Sequence, residues 1–135
     1  MDPKPTIILA TNRTDPALEL RDVERFDDGS GFSAELFVVC HGFSAQRHFS
    51  FSEGSFRAAL KALRQMDEKL QGEARLDLDW EKDQFLQFAV DAHGHVTVSG
   101  QLVHPDTDST RFTFAFETDQ TCLAPLLRSL ERLKK

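Results

Sequence analysis

The sequence predicts an α+β fold, a largely antiparallel β-sheet with two helices packed on one face. Three observations predict it. Between positions 31 and 117, segments that alternate apolar and polar residues every second position dominate the chain. Two stretches, near 53–70 and 119–133, instead space their large apolar residues with a helical period. Where turn chemistry is legible, tight hairpins join neighbouring strands, which makes their pairing antiparallel. The order is strands, helix, four strands, helix.

Each element has its own justification. Residues 1–5 (MDPKP) are expected to be loose. Short strands are expected at 6–11 and 17–26, with Pro16 between them. The stretch GFSAELFVVCHGFSAQRHFSFS (31–52) reads as a hairpin. Phe32, Ala34, Leu36, Val38 and Cys40 share one face, and Phe43, Ala45, Phe49 and Phe51 share one face of the next strand. A His41-Gly42 loop brings these faces together by pairing Cys40 with Phe43. In that register Arg47 falls on the apolar face opposite Leu36, at a cost, while Glu35 meets His48 on the outer face.

Ser52 is a natural N-cap for a helix over 53–70, whose apolar stripe is Phe56, Leu60, Leu63 and Leu70. Arg57, Lys61, Arg64 and Lys69 face water, and Gly72 supplies a stop just beyond. In ARLDLDW (74–80), Ala74, Leu76, Leu78 and Trp80 point inward and Arg75, Asp77 and Asp79 outward. In 84–91, Leu86, Phe88 and Val90 share a face; in 95–102, Val96, Val98 and Leu102 do. The turn DAHG (91–94) pairs Val90 with Val96 if Asp91 opens a type I turn and Gly94 takes the left-handed position. A polar loop covers 104–110, then Phe112, Phe114 and Phe116 share a face. Thr118 or Asp119 caps the last helix, with Leu123, Leu126 or Leu127, Leu130 and Leu133 as its stripe.

A length of 135 residues suggests one domain, and 40% hydrophobic residues suffice for a core. Twelve phenylalanines and no tyrosine point to a dry, aromatic core. A net charge of −6 argues against general nucleic-acid binding and would suit a basic protein partner. No apolar run approaches the roughly 20 residues of a membrane span, and the N-terminus lacks the features of a secretory signal. Cys40 and Cys122 lie far apart without a CxxC spacing, so free thiols and a cytoplasmic location are expected.

Catalytic and metal motifs are sparse. Cys122 stands at a helix start, which can lower a thiol pKa, yet no base lies nearby in sequence. His93-x-His95 sits on a tight turn without a third ligand at a diagnostic interval. Asp77 and Asp79 share a strand face, where solvation explains them better than a glycosidase-type carboxylate pair. No catalytic residue, cofactor or metal is implied. The water-facing side of the sheet is the candidate partner surface: Asp77, Asp79, Gln87, Thr97, Ser99, Gln101 and Arg111, flanked by Arg75 and Thr113, with Asp83 in the adjoining turn. Phe37 and Val39 project the same way and add a small apolar patch.

LQGEARLDL, the DAHGHVTVSGQL hairpin and FAFETDQTCLAPLLRSL, in that order, resemble the WapI-type immunity proteins, small bacterial proteins found with wall-associated polymorphic toxins. The likeness covers roughly 30–133. It implies a cytoplasmic, non-enzymatic protein that binds and blocks a toxin made by the same cell; the net charge of −6 would suit a basic toxin domain. Two rival classes stay open: a small-molecule-binding or enzymatic domain with a pocket ringed by Glu35, His41 and His48, and an interaction module with no toxin link.

Overall fold

The computed structural model describes residues 4–9, 11, 15–103 and 110–134. The α+β class holds, and every strand pair among the described residues is antiparallel. The strands divide into two sheets. Strands β1 (Ile7–Ile8), β2 (Ala17–Arg25), β3 (Gly31–Cys40) and β4 (Phe43–Ser52) form the first in sequential order. Helix α1 (Glu53–Lys69) follows. Strands β5 (Gly72–Leu78), β6 (Glu81–Val90), β7 (His95–Val103) and β8 (Arg111–Asp119) form the second, again in order, before helix α2 (Leu123–Glu131). Four strands and a helix thus occur twice, although no sequence repeat announces it.

The β3–β4 hairpin has the expected register, with Cys40 opposite Phe43, Leu36 opposite Arg47 and Glu35 opposite His48. His41 and Gly42 both have positive φ, and the Asp15 carboxylate accepts from both of their N–H groups at 2.8 and 2.7 Å. Between Arg21 and Glu24 the β2–β3 pairing shifts, with Asp22 at φ 53°. At that bulge Val23 donates its N–H to the Pro5 carbonyl at 2.9 Å, so Pro5, expected to be loose, is held.

Both helices start straight off the fourth strand of their half. Ser52 Oγ accepts from Ser55 N–H at 3.0 Å. Asp119 Oδ1 accepts from Thr121 N–H at 2.9 Å and opens a 3-10 turn, Gln120–Cys122, before α2. α1 ends at Leu70, itself left-handed at φ 50° with its N–H on the Met66 carbonyl. Leu70 therefore spends its position on the cap and is only half-buried, and Met66 takes the inward place. A second 3-10 turn, Arg132–Lys134, follows α2 and places Leu133 in the core.

The inner faces of both sheets and the stripes of both helices form one apolar cluster. At its centre Phe32 stacks on Phe51 with centroids 5.1 Å apart and touches Phe56 at 4.9 Å. Each such side chain contributes about 1.5–3 kcal/mol on burial. Arg25 lies over Phe32, binds Glu53 at 3.2 Å and donates to the Leu133 carbonyl at 2.7 Å, tying the C-terminal turn to the first sheet.

The β6–β7 turn is as expected: Val90 faces Val96, Gly94 N–H reaches the Asp91 carbonyl at 3.1 Å, and Gly94 has φ 81°. A Cβ on Gly94 would also stand 2.4 Å from Gln120 Oε1. Gly94→Val should therefore lower stability by about 1–3 kcal/mol, read as a lower urea midpoint; an unchanged midpoint would contradict this turn.

Candidate functional site

Most of the expected partner surface does lie on one face. On the outer side of the second sheet, Arg75, Gln87 and Ser99 form one cross-strand row with Ala115. Asp77, Phe85, Gln101 and Thr113 form the next, and Glu73, Ala89, Thr97 and Glu117 a third. Arg75 binds Asp77 at 2.8 Å and covers the Phe85 ring at 4.2 Å. Gln87 donates to Glu73 at 3.1 Å, and Thr113 to Gln101 at 3.4 Å. Asp83 is exposed within β6, not in a turn before it, and its carbonyl accepts from Gln101 at 2.7 Å. Arg111 opens the edge strand β8.

Phe37 and Val39 do not share this face. They lie on the outer side of the first sheet, where Arg21 covers the Phe37 ring at 4.2 Å. Phe37 stands in a row with Ile8, Glu19 and Gln46, and Val39 with Ala17 and Ser44. The expected single surface is thus two surfaces, because the chain closes its first sheet at β4 and starts another at β5.

Asp79 and Trp80 also depart from expectation. The alternation of 74–80 stops at Leu78, and both residues form the β5–β6 turn with φ of 53° and 57°. Trp80, expected in the core, is 59% exposed. Asp79, expected in water, is half-buried against β4. Its Oδ1 accepts from Ser50 N–H at 2.8 Å, its own N–H donates to the Ser50 carbonyl at 2.7 Å, and its Oδ2 pairs with Arg47. Arg47 also donates to the buried Gln84, whose Oε1 accepts from Val103 N–H at 3.1 Å. The arginine that the hairpin register forced onto an apolar face is therefore a polar link between the sheets. Asp79 alone is a common turn residue, but a tryptophan at positive φ beside it carries no turn signature, which is why the sequence hid it.

The residues weighed for catalysis or ligand binding are spread apart. Glu35 and His48 meet at 2.9 Å on the outer face of the first sheet, whereas His41 sits at the hairpin tip. Asp91 binds the backbone N–H groups of His93 and His95 at 2.9 and 3.0 Å, and these bonds hold its carboxyl below the usual range. Among the described residues no three His, Cys, Asp or Glu side chains gather as metal ligands. Cys122 is fully buried; burial, then the nearby Asp119 charge, pushes its pKa up to about 11. Burial also raises Cys40, whose thiol donates to the Ala115 carbonyl of β8 at 3.3 Å.

Comparison with known proteins adds what the geometry leaves open. The family of WapI-like immunity proteins matches residues 8–134. This chain belongs to that family. The match begins at β1, well before the position near 30 where the sequence resemblance starts. No curated protein matches the chain significantly. A chain from the "Crystal structures of trypanosoma bruciei MRP1/MRP2" superposes with a TM-score of 0.55 at 13% identity, over 98% of this chain and 83% of that one. At that identity the likeness concerns the fold alone. The WapI-like fold here contains no helix long and apolar enough to cross a membrane among its described residues.

Breaking the inter-sheet link from either side strands a half-buried charge. Arg47→Ala and Asp79→Ala should each cost about 2 kcal/mol or more, and a double-mutant cycle in urea should show coupling of about 1 kcal/mol or more. Additive losses would mean that the pair does not act as a unit. For the thiols, the native chain should react with neither cysteine in a disulfide-exchange assay at neutral pH, and with both in denaturant. Fast labelling of native Cys122 would contradict its burial.

Proposed function

We propose that this chain is a bacterial cytoplasmic immunity protein that binds and neutralises a toxin domain, and acts by binding and not by catalysis. The observation that carries this reading is the family match, which runs from β1 through α2. The state of the thiols agrees with it, since a buried thiol shifted upward is a poor nucleophile.

We assign the partner contact to the outer face of the second sheet. Glu73, Asp77, Asp83 and Glu117 stand there among Gln87, Thr97, Ser99 and Gln101. Such a face would steer a basic toxin domain toward polar groups able to hydrogen-bond it. Asp79 is withdrawn from the surface, being committed to Arg47.

Capture from the native host with the tagged chain should recover a toxin, and deletion of the gene should sensitise cells to it. Recovery of partners without toxic activity, with deletion harmless, would sink the reading. With the toxin in hand, Asp77→Lys with Asp83→Lys should leave the unfolding free energy read in urea within about 0.5 kcal/mol of wild type. The same pair should slow association at low salt by about tenfold. An unchanged rate and salt slope in stopped flow would move the interface elsewhere.

A further inference from the structure

Two strand edges face a shared cleft. Asp79 takes both backbone groups of Ser50, so those groups point out of the first sheet. Backbone direction repeats every second residue, so the N–H and C=O of His48, Gln46 and Ser44 point the same way. No described hydrogen bond uses them. On the other side the Ala115 carbonyl receives the Cys40 thiol, so Thr113 and Arg111 also present their backbone outward from β8. Between these edges lies a cleft of about 740 Å3, floored by Ala45, Leu102 and Phe112. It continues past Arg111 and Phe112 into a second cleft of about 400 Å3 beside Phe43.

Natural proteins blunt open edges with bulges, prolines or lysines. Along 44–48 the pairing runs without a bulge, and the segment holds neither Pro nor Lys. Phe43, at the end of this edge, is 72% exposed. Charge selects the occupant. The chain as a whole carries −6, yet among the described residues the side chains lining both clefts include Arg47, Arg111, His41 and His48 and no carboxylate. Arg47 is committed to Asp79 and His48 meets Glu35, whereas Arg111 has no ion pair among the described residues.

We propose that this cleft receives an extended acidic segment of a partner protein by strand addition. The segment would pair with the backbone of Ser44, Gln46 and His48 over about 16 Å, set a carboxylate on Arg111 and lay an apolar side chain between Phe43 and Phe112. The proposal does not rest on the partner being a toxin.

The test uses the full chain and a fluorescent eight-residue peptide of alternating Glu and Val with a central Phe, read by polarisation. The acidic peptide should bind at least about tenfold more tightly than its Lys-for-Glu counterpart. Arg111→Glu, a change on an exposed strand position, should reverse that preference with an unchanged circular dichroism spectrum. Methylating one alternate set of peptide amides should abolish binding, and methylating the other should not. Equal binding of the two peptides, indifference to Arg111→Glu, or equal tolerance of both methylated sets would overturn the proposal. Sedimentation serves as a second arm. A dimer of the chain that Arg111→Glu dissolves would make the occupant a second copy and overturn it as well.

Discussion

The link of Arg47 to Asp79 and Gln84 sets how the two halves of the molecule meet. Each half is a four-strand meander with a helix, and among the described residues no strand of one meander pairs with a strand of the other. Apolar contact holds the halves together but is non-directional. Direction comes from the polar link, where a turn of the second sheet takes the backbone of Ser50 and the guanidinium of Arg47. The cost of desolvating these groups is offset by the bonds they make to one another, Arg47 reaching both Asp79 and Gln84 and Asp79 also taking Ser50 N–H. That also explains two residues held at positive φ in one turn. The strain of Asp79 and Trp80 is tolerated because Asp79 makes three bonds there, two with Ser50 and one with Arg47.

Much of the fold was legible in the residues. In β3–β4 and β6–β7, parity of the apolar faces and turn chemistry together leave one register, and the structure has it. The division into two sheets was not legible. Alternation tells which face of a strand is dry, but it does not say where a sheet ends, because an edge strand and a central strand of a one-sided sheet alternate alike. α1 separates β4 from β5, and that long crossover was the available hint. The left-handed Leu70 shows a second limit: Gly72 is the stop signal in the sequence, yet a leucine two residues before it makes the cap.

The candidate surface was half legible for the same reason. Asp77, Gln87, Thr97, Ser99 and Gln101 were grouped correctly because neighbouring hairpins fix their rows. Phe37 and Val39 share only strand parity with them, and parity does not cross from one sheet to another. The Arg47 penalty was visible in the sequence as an unexplained charge on a dry face. Such a charge calls for a distant partner, and reading it that way would have pointed to a carboxylate outside the hairpin.

Trp80 is the chain's single tryptophan, no tyrosine is present, and the ring stands in water at the turn where the two sheets join. The molecule's intrinsic emission is therefore a local probe of that junction. It reports on the phenylalanine core only indirectly, because the indole lies outside that core. Absorbance and emission above the phenylalanine band report one point on the surface, next to the edge of β4. Any molecule that settles over that junction would shield the indole and shift its spectrum, so the protein carries its own optical label at the seam between its halves.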